Sequence, residues 1–341
     1  MTAHGGVGGL DDLNRRVVAA LQMDGRASWT SIAEACDTSV PTVARRAQQL
    51  LDEGIVRVAV MPEIGSSGPV DPYFLRITCR PGWQLSALDK LCRREDIRFL
   101  SLVSGGDDIV AELHAPRDGS LYRRLIHEIL GIDGIERCRT DLILHVYKMA
   151  HDWSRQLLDG EQYVTPADEP QSCDPSHFDA TDRAILDHLR EDGRASFKSL
   201  AERLGINEST VRRRFEQMRT DGCVSVVTLV PAAALGFESE TLLSVSVTPA
   251  KLQTVAHQLA GHRAVRYVAA TLDGSTLMCE VIAQSTQELS GFVTHSLARL
   301  DGVLGWTAAI ELMAVKRGFV ETPWWQAENA PSAALLAGSA G

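Results

Sequence analysis

Apolar positions follow two alternating rhythms along this chain. From Asp179, the residues Ile185, Leu186 and Leu189 share one face of a helix. Asp179 or Thr181 can cap it, and it stops at Gly193, which is expected to be a left-handed C′ residue. Ser196 caps a short second helix with Leu200, Ala201 and Leu204 inward, and Gly205-Ile206 makes a turn. Asn207 caps a third helix that runs to about Thr220 and stops before Gly222, and Val224, Val226 and Val227 follow as a strand. The start of the chain has the same order. A helix ends at Gly25, helices capped by Ser28 and Ser39 follow, and after a stop at Gly54 comes a strand from Ile55 to Val60. Pro41 falls in the first turn of the third helix, where a missing N–H costs little.

The rhythm then changes. Phe74 to Cys79 reads as a strand, Leu85, Leu88, Leu91 and Cys92 as a helical stripe, and Phe99–Val103 and Ile109–Leu113 as strands around Gly105-Gly106-Asp107-Asp108. Leu121, Leu125, Ile126 and Ile129 form a second stripe, and Ile135 to Tyr147 a last strand. The order βαββαβ is the split-βαβ, ferredoxin-like pattern. It returns through Leu242–Val247, Leu252–Leu259, Val265–Thr271, Leu277–Ile282, Leu289–Leu297 and Val303–Val315.

Both halves are one unit repeated at an offset of 168 residues. Asp24-Gly25-Arg26-Ala27-Ser28 returns as Asp192-Gly193-Arg194-Ala195-Ser196, Arg45-Arg46 as Arg213-Arg214, Gly68 as Gly236, Gly106 as Gly274 and Lys148 as Lys316. A period this long marks duplication of a domain-sized unit, not a solenoid. The fold class is α+β: two winged-type helix-turn-helix domains (10–61 and 178–229) and two ferredoxin-like sheet domains (69–149 and 237–318). A linker spans 150–177, and a disordered tail is expected over 326–341. Two fused copies suggest a covalent pseudo-dimer.

Composition narrows the options. The net charge is −10, so basic surface must be local. The seven cysteines form no C-x-x-C pair and read as buried thiols of a reducing compartment. No apolar run is long enough for a transmembrane helix, and the N-terminus lacks a signal-peptide pattern. The expectation is therefore a cytoplasmic protein with no membrane partner. No H-x-x-x-H, Walker loop or G-x-S-x-G is present, so no metal site, cofactor or catalytic residue is assigned. His127 and His295 read as packing or surface residues, and Trp324-Trp325 as packing.

A helix-turn-helix places the N-terminal half of its third helix in the major groove. Copy two offers Ser209, Thr210, Arg212, Arg213 and Arg214 there, and copy one Ser39, Thr42, Arg45 and Arg46. Arginine suits both a bidentate fork to guanine and a charge for phosphate. Ala44 and Gln48 stand where copy two has Arg212 and Glu216, so the halves are expected to read non-identical half-sites.

These segments resemble the helix-turn-helix of the leucine-responsive/asparagine regulator family (Lrp/AsnC). The resemblance is carried by Asp182, Ile185, Leu189, Asp192-Gly193-Arg194, Leu200-Ala201, Gly205-Ile206, Ser209-Thr210-Val211, Arg213-Arg214 and Asp221-Gly222. The βαββαβ half resembles that family's effector and oligomerisation domain. The resemblance implies a transcription regulator that binds double-stranded DNA as paired units and self-associates through its sheets. It also implies an amino-acid-like effector near the turn that carries Gly-x-x-Asp. Gly105, Gly106, Asp107 and Asp108 fit in copy one; in copy two the glycine moves to Gly274 and Thr276 replaces the aspartate, so the two sites are not equivalent. The same residues also make a plain hairpin turn. Two other readings remain: a tetrapyrrole (sirohaem) decarboxylase of the same architecture, with His114, Arg137 and His145 around a pocket, and a scaffold that binds no DNA.

Overall fold

The computed structural model describes residues 9–62, 70–158, 178–273 and 276–327. The expectations for the loose N-terminal residues, for most of the linker, for the tail beyond residue 327, and for Gly68 and Gly274 lie outside the described residues.

Copy one begins with α1 (Asp12–Met23), α2 (Trp29–Ala35) and α3 (Val40–Asp52). Asp11, Ser28 and Ser39 cap them, each side chain accepting from a backbone N–H three residues on. After β1 (Arg57–Pro62) come β2 (Val70–Cys79), α4 (Gln84–Cys92), β3 (Ile97–Ser104), β4 (Ile109–Pro116), α5 (Leu121–Arg123) and β5 (Ile135–Met149). Copy two repeats the order with α6 (Ala180–Glu191), α7 (Phe197–Leu204), α8 (Glu208–Thr220), β6 (Val224–Leu229), β7 (Ser239–Val247), α9 (Leu252–Ala260), β8 (Val265–Thr271), β9 (Thr276–Ala283), α10 (Thr286–Gly291) and β10 (Val303–Arg317). A short β11 (Val320–Glu321) closes it.

Two local expectations are corrected. The last helix of each sheet domain continues as a π-turn, over Arg124–Ile129 and Phe292–Ser296. Its wider winding leaves Ile126 53% exposed rather than in the stripe. Gly25 and Gly193 are not left-handed; left-handed glycines follow the other helices, at Gly54 (φ 66°), Gly205 (φ 66°) and Gly222 (φ 67°), and the copy-one equivalent of Gly205, Asp37, takes φ 49°. The thiols divide as well: Cys36, Cys79, Cys92, Cys138 and Cys279 are free, whereas Cys223 is disulfide-bonded.

The sheets show why the long strands matter. Each ferredoxin-like unit orders its strands as expected, β3-β4-β2-β5 and β8-β9-β7-β10, and the two units then join edge to edge. The far half of β5 pairs with β8, and the far half of β10 pairs with β3. Ile143 lies opposite Thr271, and their repeat equivalents Glu311 and Val103 lie opposite each other. The bulges also fall at equivalent steps, so the closed ring has a twofold axis inside one chain. On that axis β1 and β6 form a separate antiparallel ribbon in which Ala59 faces its own equivalent, Val227.

Side chains lock the closure. Lys316 donates from Nζ to the carbonyls of Cys92 (3.0 Å) and Arg94 (2.6 Å) past the end of α4, and Lys148 donates to His262 O (3.0 Å) past α9. Both cations are buried where helix C-terminal carbonyls need donors. The repeated Asp-Gly-Arg-Ala-Ser segments clasp each other. Arg26 donates to the carbonyls of Gly193 and Ala195, while Arg194 donates to those of Gly25 (2.5 Å) and Ala27 (3.0 Å). Arg194 also lies 4.0 Å over the Trp29 ring, and Arg26 lies 4.5 Å over Phe197. Gly193 is glycine for space: its N–H donates to Val58 O (2.8 Å), and a Cβ would lie 2.8 Å from Ala59 N.

Helix-turn-helix one shares its core with copy two, since Val17, Leu21, Ile32 and Leu50 pack in one cluster with Val230, Leu235 and Phe237. Trp325 is 2% exposed in the core of sheet domain one, which agrees with packing as its role.

These contacts predict that Gly193→Ala costs about 1–3 kcal/mol through overpacking against β1. Gly205→Ala, which has nothing within 4 Å of its Cβ, is expected to cost only the left-handed strain, about 1 kcal/mol. Urea unfolding of the two variants measures the difference.

Candidate functional site

Pairing about Ala59 and Val227 places α3 and α8 as twofold equivalents, each entering the ribbon through a left-handed glycine, Gly54 or Gly222. Their N-terminal halves carry the residues expected to meet nucleic acid, and these fall into two groups. Arg45, Ser209, Arg212 and Arg213 are exposed, and Thr42 and Thr210 are half-buried. Ser39 is exposed but engaged as a cap, its hydroxyl 2.8 Å from that of Thr42. Arg212 reaches Glu208 (3.0 Å), one turn earlier, and lies 4.9 Å over Phe197.

Arg46 and Arg214 face elsewhere. Arg46 Nη1 contacts Asp11 (2.5 Å) and Asn14 (3.0 Å), and Arg214 Nη1 contacts Asp179 (2.8 Å) and Asp182 (2.9 Å). Each arginine therefore ties the third helix to the acidic N-terminus of the first, where carboxylates are favoured by the helix dipole. Arg46 holds the Asp11 carboxyl below its ordinary range, helped by the Asn14 N–H. The clamp was readable, because Asp11 and Asp179 repeat at the same offset as the arginines. The Arg26–Arg194 clasp was missed. Its signal was the fivefold run of identical residues, which a helix stop alone does not require.

At the copy-one turn, Gly105 has φ 126° and sits against β10, where a Cβ would lie 3.1 Å from Ala308 O. Asp108 turns inward and accepts from the backbone N–H of Cys79 (2.8 Å) and from Gln84 Nε2 (3.2 Å). Gly106 has open space around its Cα, and Asp107 is half-buried. In copy two Thr276 donates to Asp273 O (2.8 Å), and Asp273 faces Arg139 (3.4 Å) and Arg76 (3.6 Å). The two turns are chemically different.

His114, Arg137 and His145 have separate surroundings. His114 is buried with Nε2 2.7 Å from Glu112. Arg137 is exposed and reaches Thr78 (3.3 Å), and exposed His145 packs edge-on to Tyr147 with ring centroids 4.5 Å apart.

Inside the ring the repeat equivalents Arg98–Glu112 and Arg266–Glu280 both form ion pairs. Burial alone would raise Glu112, but Arg98 and His114 hold it at about 2. Copy two adds Glu240, Glu311 and Arg317 to the cluster, where copy one has Pro72, Ile143 and Met149. The three carboxylates lie within 4.8 Å of one another, with two guanidiniums among them. Burial, with Glu240 and Glu280 nearby, pushes Glu311 up to about 8 against the pull of Arg317.

Two helix-turn-helix units on one ribbon, above a closed pair of ferredoxin-like sheets, define a fused dimer of two-domain regulators. The AsnC-type helix-turn-helix domain matches residues 10–51 and 178–219, and the Lrp/AsnC ligand binding domain matches residues 73–152 and 240–320. The chain belongs to the Lrp/AsnC family, as a tandem of two family units. An uncharacterized HTH-type transcriptional regulator of Pyrococcus horikoshii is 30% identical over 143 residues, which are 42% of this chain and 90% of that one. HTH-type transcriptional regulator LrpA of the same organism is 29% identical over 140 residues, 41% and 99% of the two chains. The siroheme decarboxylase NirDL, solved with an iron-uroporphyrin III analogue, superposes with a TM-score of 0.58 over 95% of this chain and 99% of that one. At 10% identity this likeness is one of fold. No described helix is long and apolar enough to cross a membrane.

The Glu311 proton has a stability consequence. The folded state binds it up to about 8, whereas a free glutamate releases it near 4.5. Across that window the native state holds more protons, so stability falls as pH rises. Glu311→Gln is expected to flatten the fall, with its largest relative gain at the alkaline end, in denaturant melts taken across the window.

Proposed function

We propose that this chain is a sequence-specific, DNA-binding transcription regulator that reads an imperfect palindrome as a single molecule. The observation that carries the reading is the β1–β6 ribbon, whose symmetric register pairs α3 and α8 within one chain and so supports their use as two recognition helices. Arg45 and Arg213 are its base- or phosphate-reading arginines, with Thr42, Ser209, Thr210 and Arg212 beside them; Ser39 caps α3. Arg46 and Arg214 act through the clamp, holding each third helix on its first. The half-sites differ because α3 presents Ala44 and Gln48 where α8 presents Arg212 and Glu216. A small effector of amino-acid type at the Gly105–Asp108 turn, beside β10, would bias the ring and so the helices. Self-association is supported by the outward stripe of Leu304 (72% exposed), Trp306 (42%), Ile310 (50%) and Leu312 (37%) on β10. The naming of relatives as regulators supports a non-enzymatic role.

Selection of binding sites from random duplex DNA tests the reading. An enriched, asymmetric motif is expected. Arg213→Ala should lose about 1–3 kcal/mol of affinity at one half-site with an unchanged unfolding temperature. Arg214→Ala should instead lower the unfolding temperature of the chain. No enrichment at low salt from folded protein would sink the regulator reading.

A further inference from the structure

The twofold axis of the ring opens, just below the β1–β6 ribbon, into a cavity of ≈ 100 Å³. The ribbon contributes Met61 and residues 227–229, with Val230 just beyond it, the two sheets contribute equivalent pairs such as Arg98 with Arg266 and Phe99 with Tyr267, and His151 and Trp153 close one side. The walls are largely apolar, and the polar groups are distributed unequally between the copies.

On the copy-two side three carboxylates surround the two cations. Arg266 donates to Glu280 and to Glu240 (2.9 Å), and Arg317 to Glu240 (3.1 Å), Glu280 (3.3 Å) and Glu311. On the copy-one side Arg98 has one carboxylate oxygen, that of Glu112 at 3.2 Å, and the thioether of Met149 at 2.6 Å. A guanidinium carries five donors, so Arg98 keeps spare ones. Tyr267 lies opposite Met149 in the β5–β8 pairing, and its hydroxyl is buried with no hydrogen-bond partner among the described residues. A buried hydroxyl left unpaired costs free energy and calls for an occupant that accepts from it. The repeat places Phe99 at the equivalent position, so this hydroxyl exists once per chain.

We infer that the axial cavity is a binding site for a small organic carboxylate with an apolar body, its oxygens taken by Arg98 and the Tyr267 hydroxyl and its body by Trp153, Phe74 and Leu242. The site is separate from the Gly105–Asp108 turn and does not depend on DNA binding. Burial, with Arg98 and Arg266 beside it, holds His151 down at about 4, so its imidazole is neutral and the charge offered to the acid comes from the arginine. An apolar cavity of about 150 Å³ accepts benzene, so at ≈ 100 Å³ the occupant must be small. Because the ribbon forms one wall, the occupant touches both the sheets and the element that carries α3 and α8.

The test uses the full chain without DNA and three probes: benzoate, 3-methylbutanoate and phenylacetate, followed by calorimetry and thermal unfolding. At least one acid is expected to bind saturably at millimolar concentration or below and to raise the unfolding temperature, while benzamide does not. Tyr267→Phe should weaken that acid about tenfold or more, a loss of about 1.4 kcal/mol. Its own unligated unfolding temperature should hold or rise, because the lost hydroxyl had no partner. Arg98→Lys, which keeps the charge but not the fork, should weaken binding as well. Asp108→Ala should bind as the parent does. The inference is overturned if no probe binds, if benzamide matches the acid that binds, if Tyr267→Phe binds like the parent, or if Asp108→Ala alone abolishes binding.

Discussion

Two strands are too long for their own sheets, and the molecule is organised around what their surplus does. β5 and β10 each run 15 residues beside neighbours of seven to ten. The first part of each completes its ferredoxin-like unit. The rest would leave unpaired backbone groups, and the outer strand of each unit, β3 or β8, has a free edge as well. Exchanging the surplus solves both problems at once and closes the ring. The buried Lys148 and Lys316 then sit where the other copy's helix ends need donors, so the closure is sequence-encoded as well as geometric. The ribbon, the axial cavity and the spacing of α3 and α8 are downstream of this exchange.

The ring's interior is unusual in being charged. Replacing such clusters with apolar residues often leaves a protein as stable or more so, because desolvation offsets much of the attraction. Copy one has the uncharged residues Pro72, Ile143 and Met149 at the positions where copy two has Glu240, Glu311 and Arg317. The charged half therefore acts less as a source of stability than as a mark that distinguishes one side of the axis from the other. It also surrounds Arg266 with three carboxylates, whereas Arg98 has the single carboxylate partner Glu112.

Much of this was legible in the sequence. Apart from Leu85 and Ile126, which are exposed, the 3.6-residue stripes appear where periodicity placed them, as do the Ser and Asp caps and the βαββαβ order, and the offset of 168 announced the pseudo-dimer. What local pattern could not supply was partnership across the axis. Gly193 satisfies the grammar of a helix stop, yet its missing Cβ is needed by the β1 backbone of the other copy. Arg46 and Arg214 lie on a plausible reading face, yet a half-turn of side-chain direction sends them to Asp11 and Asp179. The π-turns at Arg124–Ile129 and Phe292–Ser296 have no signature in apolar spacing, since the same stripe serves either winding. The axial cavity belongs to residues scattered over both copies, which no window along the chain brings together.

Fusion of the two copies changes what a mutation can do. In a dimer of identical subunits every substitution is made twice, once on each side of the axis, and a residue that suits one side must be tolerated on the other. Here each position on the axis is written separately. Tyr267 could gain a hydroxyl while Phe99 stayed bare, and Asp37 could accept a left-handed backbone that Gly205 adopts freely. A single linked gene product can thus carry the division of labour of a heterodimer with no risk of assembling the wrong pair.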